Sequence, residues 1–222
     1  MSLDTAGARA RILGRIRKAQ SRGGRPSKAE REAVETYVRA HPRGDLPEVT
    51  GDLVARFRAK AEATQSTTEE VDSPSDVPAA VARYCAAHKL ATNGCVWPAL
   101  SQLDWNAAGL PLESRAAHGE DKLGVTGVFA ALAETGTLMV ASGPDSPASV
   151  SLLPETHVAV VPASRIVAHM ETAWAMARDA FGHLPRAVNF ISGPSRTADI
   201  EQRMVLGAHG PYRVHIIVVR GA

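Results

Sequence analysis

Between Ile191 and Glu201 the chain reads Ile-Ser-Gly-Pro-Ser-Arg-Thr-Ala-Asp-Ile-Glu. Hydroxyls at Ser192, Ser195 and Thr197 surround a guanidinium at Arg196, and carboxylates follow at Asp199 and Glu201. The apolar run Ala187 to Ile191 reads as a short buried strand, stopped by a turn at Gly193-Pro194. A fixed cation with small donors suits an anionic or polar ligand. Arg196 can grip a carboxylate or phosphate through two parallel hydrogen bonds, with Ser195, Thr197 and the amides freed by the turn completing a cradle. In open α/β sheets such ligands settle beyond the carboxyl ends of the strands. The plain alternative is a polar strand-to-helix turn, with Ser or Thr capping and Arg paired to an acid.

A second group of the same character lies upstream. Glu134-Thr135-Gly136-Thr137 sits between the apolar segments Val128 to Ala133 and Leu138 to Val140. Apolar flanks can place the Glu134 carboxylate in a low-dielectric setting, which suits a general base or a nucleophile. The competing reading is a tight hairpin turn with its glutamate in water. His209, between Gly207 and Gly210, is the histidine placed to join Glu134 in one pocket, because glycines let the backbone come close to a ligand. His157, His209, Asp199 and Glu201 lack ligand spacing, so no metal site is expected. Walker, G-x-G-x-x-G, H-E-x-x-H and G-x-S-x-G patterns are all missing.

These residues must be positioned by a chain of 222 residues, enough for one substantial core with an appendage. The charge is uneven: residues 1–63 hold 14 Lys/Arg against 8 Asp/Glu, the remainder 11 against 15. A net charge of +2, ten aromatics and no recognition motif argue against nucleic acid. The basic front is either a solvated helical extension or a docking surface for a partner. No run approaches the roughly 18 apolar residues of a membrane span. Arg9, Arg11, Arg15 and Arg17 interrupt any secretory core, so a cytoplasmic protein is expected. Cys85 and Cys95 are too few for an iron–sulfur cluster held by one chain.

The apolar spacing predicts helices over residues 4–19, from Ser27 to about His41, and through Leu53, Val54, Phe57 and Ala61. Ser27 and Glu30 have the spacing of a capping box, and Gly23-Gly24 separates the first two helices. Strands are expected at Thr67 to Val71, Leu90 to Gly94, Leu138 to Val140, Val158 to Val161 and Val214 to Val219. A helix passes through Val77, Val81 and Cys85. Another, capped by Ser164, carries Ile166, Val167, Met170, Ala173, Trp174 and Ala177 on one face. Gly143 to Ser149 is a Pro/Ser loop long enough to act as a lid. The alternation of strand and helix predicts an α/β fold with a mostly parallel sheet flanked by helices. The expected division is a helical extension over 1–64 and an α/β domain over 65–222.

Four blocks occur in a distinctive order: Ala133 to Thr137, Ser151-Leu152-Leu153-Pro154 with His157, Ile191 to Glu201, and Leu206 to Pro211. Together they resemble the lactate utilisation protein C family, whose shared unit is called the LUD domain. The resemblance covers about Leu123 to Val219, with a less specific likeness in the arginine-rich first helix. It implies a fold of the sugar-isomerase and CoA-transferase-like type. It also implies a cluster-free component of a cytoplasmic system that oxidises L-lactate to pyruvate, beside iron–sulfur partner subunits. CoA-transferases of similar fold use a glutamate before a small residue and a glycine, which Glu134-Thr135-Gly136 resembles. A stand-alone acyl or CoA transferase, a ligase, or a ligand-sensing module are the alternatives. The ligand-binding residues expected on all these readings are Thr135, Gly136, Thr137, Ser192, Gly193, Ser195, Arg196, Thr197, Asp199 and Glu201.

Overall fold

The computed structural model describes residues 5–21, 25–200 and 202–221. Contacts divide the chain into two units, Met1–Leu46 and Pro47–Ala222. The first contains α1 (Ala6–Ala19) and α2 (Lys28–Ala40). In α2 the capping box forms: Ser27 Oγ accepts from the Glu30 amide at 3.2 Å, and the Glu30 carboxylate accepts from the Ser27 amide at 2.7 Å. Neither helix buries a residue, and Ile12, Ile16, Val34, Tyr37 and Val38 are exposed.

The second unit starts with α3 (Leu53–Ala63), which Asp52 caps through the Val54 and Ala55 amides. Its main sheet contains β1 (Thr67–Val71), β2 (Gly94–Val96), β3 (Leu112–Ser114), β4 (Leu123–Thr126), β7 (Thr156–Pro162) and β12 (Arg213–Val219). They lie in the order β1-β12-β7-β4-β2-β3, every pair parallel. Apolar clusters cover both faces, which is why β7 and β12 are near-continuous apolar runs rather than alternating ones. On one face α4 (Val77–His88) packs Val77, Val81 and Cys85 against Val125, Val158, Ile217 and Val219. On the other, Phe57 and Ala61 of α3 meet Ala159, Val161, Ile216 and Val218. Burying the Phe57 side chain completely contributes about 2–3 kcal/mol.

A smaller sheet stacks on the α3 side. It comprises β5 (Ala130–Leu132), β6 (Thr137–Ala141), β8 (Ile166–Val167) and β9 (Val188–Ile191), in the order β8-β5-β6-β9. Side chains alternate across it. Ala131, Leu138 and Val140 face the shared core, while Ala130, Leu132 and Met139 meet Ala173 and Ala177 of α5 (Met170–Phe181). A hairpin of β10 (Arg196–Ile200) and β11 (Arg203–Leu206) completes the strands among the described residues. No helix among them is long and apolar enough to cross a membrane.

Several expectations change. Ile166 and Val167 form β8, and the helix starts four residues later, because the pair bonds in parallel to Ala131 and Leu132. The stretch after Ser195 is a β-hairpin, which removes the strand-to-helix turn. The first paired residues of β2 are Gly94 to Val96, not Leu90 to Gly94. The division falls between Leu46 and Pro47 rather than after residue 64, since Phe57 and Ala61 of α3 belong to the core of the α/β unit. The Gly143 to Ser149 loop is tied down: Gly143 and Ser146 form a bridge, and the Trp97 indole N–H donates to the Pro147 carbonyl at 3.0 Å. Gly23-Gly24 and Glu201 lie outside the described residues.

Candidate functional site

The strand register of the smaller sheet carries polar residues to one edge. In β5 and β8, Leu132 pairs with Val167 in parallel, so the next residues on the same face are Glu134 and His169. In β6 and β9, Leu138 pairs with Ile191 antiparallel, so Thr137 stands beside Ser192. Met139 and Leu132, two residues inward, pack on α5. The row His169, Glu134, Thr137, Ser192 therefore continues the α5 face, and α5 begins just after His169. This edge is the carboxyl end of β5, β8 and β9, where polar ligands gather in open sheets.

The row is hydrogen-bonded along most of its length. His169 Nδ1 lies 3.0 Å from Glu134 Oε2. The Glu134 amide donates to the Ala168 carbonyl at 3.1 Å, which fixes the two backbones together. Thr135 Oγ1 donates to Thr137 Oγ1 at 2.8 Å, and Thr137 Oγ1 is 2.7 Å from Ser192 Oγ. Thr137 is buried, Ser192 and Thr135 are exposed, and the Glu134 and His169 side chains are 27% and 14% accessible. The pair is half-shielded yet open enough for a small molecule to reach. Glu134 is thus in a hairpin turn, as the plain reading held, but it is paired with a histidine rather than directed only to water.

Two glycines seat this edge on the end of α3. Gly136 has φ +70° and Gly193 φ +81°, a region that favours glycine. A Cβ on Gly193 would stand 2.1 Å from the Thr64 carbonyl oxygen. Beyond it, Pro194 is buried and Ser195 is laced to the segment before β12. Its amide donates to the Pro211 carbonyl at 2.9 Å, its carbonyl accepts from the Gly207 amide at 2.9 Å, and its Oγ accepts from the His209 amide at 3.3 Å.

Arg196 is exposed, and its Nη1 donates to Gln65 Oε1 at 3.3 Å. Thr197 Oγ1 accepts from the Asp199 amide at 3.2 Å, and Asp199 is exposed. Side-chain contacts join Glu134 to His169, and Thr135, Thr137 and Ser192 to one another, along this edge; Ser195 and His209 form a second group, with Gly193-Pro194 between them. Glu134 pairs with His169 rather than His209, whose bond to Ser195 runs through its backbone. The second group sits at the amino end of β7 and β12, since the Tyr212 amide bonds the Glu155 carbonyl at 2.7 Å just before both strands. Sequence reasoning missed His169. The signal was its place before an amphipathic helix, but only the β5–β8 register brings it to Glu134, 35 residues away.

Other ionisable groups serve the framework. His157 is fully buried, its Nε2 2.8 Å from Thr126 Oγ1, and burial holds its pKa down to about 4. It is far from exposed His209 and Asp199 in environment, and no group of three or more His, Cys, Asp or Glu among the described residues is placed to hold a metal. Burial likewise pushes the Cys95 thiol up to about 12 and raises that of Cys85. Inert, protonated thiols are the consequence. Asp121 accepts a two-pronged contact from Arg115 at 2.7 and 2.9 Å, which holds its carboxyl down to about 2.

With this geometry in view, the comparisons are consistent. The LUD domain model matches residues 54–219. Lactate utilization protein C of Exiguobacterium sp. (strain ATCC BAA-1283 / AT1b) is 39% identical over 148 residues, 63% of this chain and 64% of that protein. Its counterpart in Bacillus subtilis (strain 168) is 39% identical over 128 residues, 52% of this chain and 53% of its own. The chain spans about half to just under two-thirds of the length of such relatives. A crystal structure of a DUF162 family protein from Deinococcus radiodurans superposes with a TM-score of 0.56 at 21% identity, covering 78% of this chain and all of the other. That likeness speaks for the fold. The LUD domain match runs from α3 through β12 and takes in both sheets, so this chain belongs to the LUD domain family.

Proposed function

We propose that this chain is a component of a lactate utilization system and that the edge of the smaller sheet receives a small hydroxy acid or related anion. The observation that carries this reading is kinship at about 40% identity with proteins named lactate utilization protein C. The polar row His169, Glu134, Thr137, Ser192 supports the placement of the site, because it combines donors and acceptors at the carboxyl ends of three strands. Arg196, Ser195, Thr197 and Asp199 form the outer wall in this reading, with the Arg196 guanidinium meeting the ligand carboxylate. His209 lines the rim through its bond to Ser195.

In this reading the chain works in the cytoplasm beside partner subunits whose iron–sulfur clusters would accept the electrons of the hydroxy acid. Two cysteines fall short of the four thiolates that such a cluster takes, which supports the cluster-free role in this reading. The arginine-rich helix α1, with Arg9, Arg11, Arg15 and Arg17, is the docking element for those partners in this reading. Deleting the gene in its host and growing the strain on L-lactate as sole carbon source tests the role. Growth fails and returns with the wild-type copy; undiminished growth on L-lactate, with normal growth on other carbon sources, contradicts it.

A further inference from the structure

We infer that His169, oriented by Glu134, is a proton acceptor that selects a ligand bearing a hydroxyl over the matching ketone. This rests on the site proposed above and goes further by naming the group that discriminates. Glu134 Oε2 lies 3.0 Å from His169 Nδ1, and an ionised carboxylate only accepts hydrogen bonds. In the neutral imidazole the proton therefore resides on Nδ1, and Nε2 keeps its lone pair. No protein partner occupies Nε2 among the described residues, and it is not one of their buried orphan atoms, so it is open to a ligand. A carboxylate behind a histidine in this way fixes both its tautomer and its ring orientation, the logic of a general base held by an acid.

The backbone makes the arrangement rigid. Glu134 and His169 leave adjacent parallel strands at the same register position, and the Ala133 and Glu134 amides bond the Val167 and Ala168 carbonyls at 2.8 and 3.1 Å. Glu134 also lies at the N-terminus of α5, where the helix dipole favours a negative charge. An acceptor-only Nε2 bonds a hydroxyl proton and faces a keto oxygen lone pair to lone pair. A site built to bond a hydroxyl rejects the analogue lacking it strongly. His169 is thus the residue that touches the ligand, and Glu134 is a positioning residue.

The test uses the full chain with 15N-labelled histidine at pH 8, titrated with L-lactate and separately with pyruvate. The His169 ring should show the Nδ1–H tautomer without ligand and lose that preference in Glu134→Ala, with Glu134→Gln, which retains an acceptor oxygen, restoring part of it. L-lactate should shift the Nε2 signal and bind about tenfold or more tightly than pyruvate. His169→Phe should abolish the discrimination, bringing L-lactate and pyruvate to similar affinities by weakening the first and removing the lone-pair repulsion against the second. An Nε2–H tautomer, or a lactate-to-pyruvate ratio that survives His169→Phe, overturns the inference while leaving a lactate site possible on other residues. Binding of neither compound to the wild-type chain overturns both the inference and the proposed ligand class.

Discussion

Gly136 and Ala61 approach so closely that a Cβ on the glycine would stand 2.2 Å from the Ala61 backbone nitrogen. The turn carrying Glu134 and Thr137 is thereby pressed onto the end of α3, and the position of the polar edge depends on a missing side chain. Backbone rather than a flexible side chain opposes the new atom, so α3 or the turn has to shift. Gly136→Ala also forces a side chain onto φ +70°. The substitution should cost roughly 2–4 kcal/mol, combining the left-handed penalty with overpacking. Urea denaturation measures it; a loss below the usual spread of surface substitutions would contradict the close fit.

Asp121 and Arg115 make the acid side of stability predictable. Asp121 is nearly buried and its folded pKa, about 2, is below the ordinary carboxylate value. The unfolded chain therefore takes up this proton first as pH falls. Stability from the pair is complete above about pH 4 and is lost as pH falls toward 2, a contribution of about 2 kcal/mol. Asp121→Asn should lower stability at pH 7 and flatten the dependence between pH 4 and 2. Parallel curves for the variant and wild type in that window would count against the assignment.

His157 acts at a higher pH through the same sign. Burial lowers its folded pKa to about 4, below the ordinary value of about 6.5. The unfolded state gains the proton first, so stability is full above about pH 6.5 and declines as pH falls toward 4. His157→Gln retains a group able to bond Thr126 Oγ1 but cannot titrate. Its unfolding free energy should change less between pH 7 and 4 than that of the wild type, as read from chemical denaturation at several pH values. An unchanged slope would remove His157 as its source.

Arg196 separates binding from folding. It is exposed and its bond to Gln65 is long, so Arg196→Ala should change stability by less than about 0.5 kcal/mol. The proposed carboxylate contact predicts weaker L-lactate binding, by about tenfold, in isothermal titration. Affinity equal to wild type would move the ligand carboxylate elsewhere.

The sequence announced local structure better than contact across the chain. Ser27 and Glu30 formed the expected cap, and the apolar runs Val158 to Val161 and Val214 to Val219 became buried strands. Ile166 and Val167 misled because they continue the helical spacing of Met170, Ala173 and Ala177, and nothing local reveals that Ala131 and Leu132 will pair with them. The smaller sheet went unseen for that reason: β5 and β8 are two or three residues each and acquire meaning only together. Glu134 and Ser192 stood out by composition. That they share an edge follows from the β5–β6 and β6–β9 registers, the second spanning 55 residues at the Thr137–Ser192 contact.

Amide shift mapping during an L-lactate titration of the isotope-labelled full chain tests the site most directly. Perturbed resonances should gather at residues 134–137, 169–172 and 192–197, around the His169–Glu134 and Thr137–Ser192 contacts. Shifts confined to other parts of the chain, or none at saturating L-lactate, would contradict the assignment of this edge as the binding site.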